Sequence, residues 1–260
     1  MQAIYDKEVL FLAPSLGRAK TCTTHEVIPS VKYIVAESEV EEYAKRVPTA
    51  NLEVVSDEIQ CAPSGKCRAL NWALDTFKTD DNIILFTDDD IKQIYKVDFS
   101  NNEETFVSED EIVICVQKLA FIAKQIGAKI GGFSALSAAD SMLMGLTMRY
   151  KLTQKKYIDG KAFIVYEDDG TRFDEELFLK EDIEFNCQSL IKNKRTLSAG
   201  FVCFVGKALT NAGGVVDVRT NEEELRQGAI MFERYSGMLR TRVSNVGSGV
   251  RKKAVQLGLR

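Results

Sequence analysis

Asp88, Asp89 and Asp90 stand in a row directly behind the apolar run Asn82-Ile83-Ile84-Leu85-Phe86-Thr87. The run is short, β-branched and aromatic, with turn residues before it, and reads as a buried strand. Carboxylates crowded at its exit repel one another in a partly dry site. A divalent cation resolves that conflict, and hard cations such as Mg²⁺ and Mn²⁺ take oxygen ligands. Open α/β sheets bind ligands at the carboxyl ends of their strands, which is where such a triplet would lie. The alternative is an acidic turn that caps the next element.

A second group opens a helix: Ser64-Gly65-Lys66-Cys67-Arg68-Ala69-Leu70-Asn71. Lys66, Arg68 and Asn71 near a helix start suit phosphate or ribose, because the first-turn amides and the helix dipole favour anions. An amphipathic helix with solvated Lys66 and Arg68 reads equally from the same residues. The segment does not match the phosphate loop G-x-x-x-x-G-K-[ST], and no G-x-G-x-x-G fingerprint occurs in the chain. His25 is the only histidine and none of the six cysteines forms a C-x-x-C pair, which argues against a zinc site. His25 reads either as a nucleotide or acceptor contact or as a hydrogen-bonded structural residue. Trp72 reads as core.

These groups need elements to hold them. Glu8–Ala13, Lys32–Ala36, Leu52–Ser56 and Ile83–Thr87 read as strands, with helices at Ser38–Arg46 and Ser64–Lys78 between them. That alternation predicts a parallel sheet with helices on both faces. Beyond it, Ile91–Val97 reads as a strand and Asp98–Phe106 as a polar excursion. Ser108-x-x-Glu111 is a capping box that opens a helix to about Ile126. Lys129–Phe133 reads as a strand whose glycines imply close backbone approach. Gly132, Phe133, Gly213 and Gly214 could leave room for a sugar or acceptor, or form turns. Lys161–Tyr166, the helix Lys180–Lys192 and the strand Thr196–Val205 follow. Asn221-x-x-Glu224 then caps a charged helix to about Leu239.

The chain has 260 residues, 45% of them hydrophobic, enough for a sizeable core and too many for a disordered chain. Net charge is −4, so no global basic field points to nucleic acid. The charge is uneven, however: from Arg234 to the end stand seven basic residues and no acidic one. Arg251, Lys252 and Lys253 form the densest part, which suits a polyanion, a solvated tail or a subunit contact. No run approaches membrane-spanning length and no signal peptide is evident, so a soluble, cytoplasmic protein is expected.

Taken together, the pieces resemble a GT-A fold glycosyltransferase. The carriers are the small-residue turn Ala13-Pro14-Ser15-Leu16-Gly17-Arg18, the helix opening from Gly65 to Asn71, the D-x-D of Asp88 and Asp90, and the pair Glu181-Asp182. The S-x-G-R turn, the segment Glu37 to Tyr43 and the phrase V-V-S-D-E-I are similar to the TET/JBP-associated glycosyltransferases, found in phages and in organisms with modified thymine. The resemblance implies a Rossmann-like, mostly parallel central sheet with a C-terminal acceptor-side portion. It divides residues 1–242 into a nucleotide-sugar half to about 100 and an acceptor half, followed by a basic tail from 243. Ala13, Ser15, Arg18, Glu37, Lys66, Arg68, Asn71, Asp88 and Asp89 would line the donor pocket for a UDP-sugar. Asp88 and Asp90 would hold Mn²⁺ or Mg²⁺. Asp182 would be the general base if the reaction inverts, with Glu181 as the competing candidate and an acidic first turn as the plain alternative. The implied acceptor is a hydroxymethylated pyrimidine in DNA, in host cytoplasm if the chain is phage-encoded. A saccharide or small acceptor, or a catalytically silent nucleotide-sugar-binding protein, are the competing readings.

Overall fold

The computed structural model of the protein describes residues 7–98, 103–134, 152–154, 158, 160–206, 219–244 and 254–259. Its centre is a sheet in the order β3-β2-β1-β4-β9-β7-β10-β5-β6. The strands are β1 (Glu8–Pro14), β2 (Lys32–Ala36), β3 (Leu52–Val55), β4 (Asn82–Thr87), β5 (Ile91–Asp98), β6 (Glu103–Phe106), β7 (Ile130–Ser134), β9 (Ala162–Val165) and β10 (Leu197–Gly206). The short β8 (Leu152–Thr153) pairs with β10 off this path. From β3 to β4 every pairing is parallel. Beyond β4, β9 runs antiparallel to both β4 and β7, and β5 antiparallel to β10 and β6, while β7 and β10 are parallel.

Alternation along the strands divides the core between the two faces. Phe11, Ala13, Tyr33, Val35, Ile83 and Leu85 share one cluster with Ile112, Val116, Leu119 and Ala123 of α3 (Glu109–Ile126). Leu12, Ile34, Ile84 and Phe86 join Cys67, Leu70, Ala73 and Leu74 of α2 (Gly65–Phe77) on the other. Each buried leucine there stabilises the layer by about 1.5–3 kcal/mol. The four-residue α1 (Val40–Tyr43) follows β2 after a 3₁₀ turn, where the sequence reads as one continuous helix. The capping box at Ser108 forms as expected, and Gly127 closes α3 in the left-handed region, φ 76°.

Two expected boundaries shift. Phe106 belongs to β6, an edge strand inside the stretch read as a polar excursion, and its ring lies 4.9 Å from that of Tyr95 on β5. The last helix, α5 (Asn221–Tyr235), is capped one residue early by Thr220, whose Oγ1 accepts the Glu223 N–H at 3.1 Å. It ends before Leu239, because Leu239–Ser244 forms β11, paired antiparallel with β12 (Ala254–Leu259). α5 is tied to the body through Arg226, Arg234 and Lys180, which pair with Glu176, Asp174 and Glu224. No described helix is long and apolar enough to cross a membrane.

Candidate active site

All of β4 is buried, so its exit delivers the aspartates to the carboxyl edge of the parallel strands. They part company there. Asp89 turns inward, 2% exposed, and accepts the Ser15 hydroxyl at 2.5 Å and Arg18 Nη1 at 3.1 Å. A hydroxyl chain stands behind it: the Arg18 N–H donates to Tyr43 Oη at 3.2 Å, and Tyr43 lies 2.6 Å from Ser15 Oγ. Because the Ser15 proton goes to Asp89, the Tyr43 proton goes to Ser15. Burial pushes the Asp89 carboxyl upward against the pull of Arg18 and Ser15. Burial alone would lower the Arg18 guanidinium, but Asp89, with Asp90 and Asp88 beyond it, holds it raised.

Main-chain bonds lock the same turn to the triplet. Thr23 and Thr24 N–H groups donate to Asp89 O at 2.9 and 3.3 Å. Thr24 Oγ1 donates to Asp88 O at 2.8 Å and accepts the Ile91 N–H at 3.0 Å. The Gly17 N–H meets both carboxylate oxygens of Glu39, at 2.9 and 3.0 Å. Gln60, 2% exposed, donates to Ser15 O at 2.6 Å. Asp89, Tyr43, Glu39 and Gln60 thus brace the turn around Ser15 and Arg18, and Thr23 and Thr24 hold the chain beyond it to the triplet. Nothing in the sequence around Tyr43 and Gln60 marks them for this work.

Asp88 points the other way, toward Lys66 at the start of α2. Lys66 Nζ lies 3.8 Å from Asp88 Oδ1 and 2.8 Å from Glu181 Oε1. Glu181 and Asp182 open α4 (Glu181–Asn193). Burial alone would lower the Lys66 ammonium; Glu181 and Asp88, with Asp182 behind them, outweigh it and hold it above the ordinary lysine value. Asp182 is half-buried, and its carboxylate accepts the Ile183 N–H at 2.7 Å and the Gly160 N–H at 3.3 Å. Three segments remote in sequence therefore meet at one charged cluster: the exit of β4 and the first turns of α2 and α4.

Asp90 is buried, 2% exposed, beneath Gly206 at the end of β10, where a Cβ would come within 2.8 Å of Asp90 Oδ1. Among the described residues no three His, Cys, Asp or Glu side chains converge as a cation site. Asp88 and Asp90 supply two hard oxygen donors. By donor type alone these are the hard oxygens that a Mg²⁺-like ion takes.

Other expected site residues are committed elsewhere. Arg68 donates to Ile59 O at 3.0 Å and Cys61 O at 2.5 Å and pairs with Glu175, so it clamps the loop before α2. Asn71 exchanges two hydrogen bonds with the Phe173 main chain, at 2.9 and 2.8 Å, which fix its side chain there. Ala13 is fully buried in the core, and Glu37 is exposed at the carboxyl end of β2. Phe133 is 2% exposed and stacks on Phe204 with centroids 5.4 Å apart, so it is core rather than acceptor surface. Gly132 leaves no room for a ligand: a Cβ there would overlap Ile158 and come within 2.5 Å of Ala162 O. A Cβ on Gly131 would overlap Leu197 O and Tyr166 Oη. His25 and its own N–H both lie 2.9 Å from Tyr33 Oη, the structural alternative. Trp72 packs edge-to-face on Phe77. Gly213, Gly214, Arg251, Lys252 and Lys253 lie outside the described residues.

The fold and site define an α/β protein with an acidic and basic cluster at the carboxyl ends of its parallel strands. No protein-family model matches the chain, and no curated protein matches it. Among solved structures it is similar to S. aureus TarS 1–349 in complex with UDP, with 12% identity and a TM-score of 0.43, over 88% of this chain and 72% of that chain. A likeness of that size carries no argument about activity.

Proposed function

We propose that the chain is a glycosyltransferase that moves a sugar from a nucleotide sugar, UDP-linked, to a hydroxymethylated pyrimidine in DNA. The observation that carries the reading is the meeting of Lys66 with Asp88 and Glu181 at the mouth of the parallel strands. A donor diphosphate needs fixed positive charge, and Lys66 at the N-terminal end of α2 supplies it together with the helix dipole. Ser15 and Arg18, braced by Asp89, line the neighbouring wall for the nucleoside. Asp88 and Asp90 are the residues that would hold Mn²⁺ or Mg²⁺, and the ion would supply charge to the departing diphosphate. Of the two candidates for the base, Asp182 suits the role better. Glu181 is buried against Lys66, and Asp182 is the more exposed of the pair, the better placed by access to take the proton of an acceptor hydroxyl.

The DNA acceptor rests on the family resemblance and on the basic residues Arg251, Lys252 and Lys253. Arg234, the first of the basic series, is spent on Asp174 and Glu176. The test is incubation with mixed nucleotide sugars, Mn²⁺ and hydroxymethylated DNA, followed by mass analysis of the nucleosides. A hexose or pentose increment on the modified base is the expected result. Transfer to a saccharide with none to DNA would move the acceptor to the competing reading. Nucleotide-sugar binding without any transfer would leave a silent binding protein.

A further inference from the structure

α3 does not cover all of the sheet beneath it. Its buried stripe, Ile112, Val116, Leu119 and Ala123, packs into the core and lies against β1. The neighbouring stripe, Glu111, Cys115, Lys118 and Ile122, repeats at helical spacing and lines a cavity of about 450 Å³ over β5, β8 and β10. The apolar lining comes chiefly from Phe201 and Val202 of β10, Leu152 of β8, and Ile114, Leu119 and Ile122 of α3. A cavity of that size and character suits a small ligand with an apolar body. Phe201 is the one aromatic lining residue, so a flexible alkyl chain fits the wall better than a planar ring that needs stacking partners. Ile114 and Leu152, 49% and 39% exposed, form an apolar lip that such a chain would cover.

The charged lining residues are Lys96 of β5 and Lys118 and Glu111 of α3. Positive charge therefore outnumbers negative, and Glu111 Oε2 accepts the Ser108 N–H at 3.0 Å in the capping box. Both lysines are exposed, which keeps each ammonium at the mouth while its stem can lie on apolar surface. Their charge is felt inside: burial pushes the Cys115 thiol up to about 11, and Lys118 and Lys96 both pull it back. We propose that this cavity binds a single-chain amphiphile with a carboxylate head, the chemistry of a free fatty acid. The chain fills the apolar space and the carboxylate meets Lys96 and Lys118 at the mouth. None of the residues assigned to donor or acceptor takes part, so the site stands or falls apart from the glycosyltransferase reading.

Calorimetry tests it with dodecanoate and with dodecyltrimethylammonium, the same chain with the opposite head charge, each below its micelle concentration. The parent is expected to bind dodecanoate at a single saturable site and the cationic chain at least about tenfold more weakly. Lys96→Gln combined with Lys118→Gln should weaken dodecanoate by about tenfold. Ile114→Glu, at an exposed position that the fold tolerates, should weaken it by a similar factor through like charge at the lip, and it serves if the double variant does not fold. No saturable binding by the parent would overturn the site. Equal binding of the two chains would do the same, as would parent-like affinity in both variants. A parent that ignores both chains but forms a dimer which Ile114→Glu separates would give this face to a second copy instead.

Discussion

Lys66 and Arg68 are two residues apart on one helix, yet they face different tasks. Lys66 meets Asp88 and Glu181; Arg68 holds the carbonyls of Ile59 and Cys61. Lys66→Met should weaken UDP binding by about ten- to a hundredfold, the value of a charge-assisted hydrogen bond. Arg68→Met should lower the melting temperature and leave UDP affinity nearly unchanged, and calorimetry beside thermal unfolding separates the two. Asp182→Asn should lower turnover by about 10²–10⁴-fold while donor affinity stays near that of the parent. An unchanged rate would reduce Glu181-Asp182 to an acidic first turn. The triplet, Lys66 and the Glu181-Asp182 pair were legible because charge clustered at a predicted strand exit or helix start has few uses. The true partners of Arg68 and Asn71 were not legible. They are main-chain groups of Ile59, Cys61 and Phe173, and every residue has those.

At the scale of elements, the strand at Lys129–Phe133 shows how a correct signal can point to the wrong cause. Its glycines do mark close approach, but what approaches is β9 and β10. Gly132→Ala should therefore destabilise the fold by about 1–3 kcal/mol through overpacking, read from the denaturant midpoint. A change in acceptor KM at unchanged stability would return Gly132 to the site. Asn71→Leu should cost about 1–3 kcal/mol, because the Phe173 N–H and C=O lose their partner. Phe173 stacks on Phe185 of α4 with centroids 4.1 Å apart, so the loss should also loosen the helix that carries Asp182. The continuous apolar runs in β1, β2 and β4 made their burial on both faces readable. β6 escaped because its residues are polar except Phe106, and its strand state depends on β5 beside it.

The whole molecule is held at several seams by charge. Arg172 joins Asp168 to Asp75 at the end of α2, and its hydrogen bond holds the Asp168 carboxyl below the ordinary value. A depressed carboxyl contributes stability that is present above its unfolded pKa, about 3.9, and is lost as pH falls through the lower folded value. Acid unfolding should therefore steepen below about pH 4, and Asp168→Asn should flatten that limb while lowering stability at neutral pH. Neutralising Arg251, Lys252 and Lys253 together should reduce the salt slope of DNA binding by up to about 0.9 per lost contact, with UDP affinity unchanged. Identical slopes would remove these residues from the acceptor argument. The sheet order carries one more consequence, for the life of the chain before it is native. β10, spanning Leu197–Gly206, is the strand that joins β7 to β5, although β5 leaves the ribosome far earlier. Until β10 arrives, β7 and β5 each wait with one open edge, and only the part from β3 to β7 and the β5-β6 pair can form. A chain halted before Leu197 would hold its aspartates and Lys66 yet offer bare strands to other molecules, and aggregation rather than slow folding would be its fate.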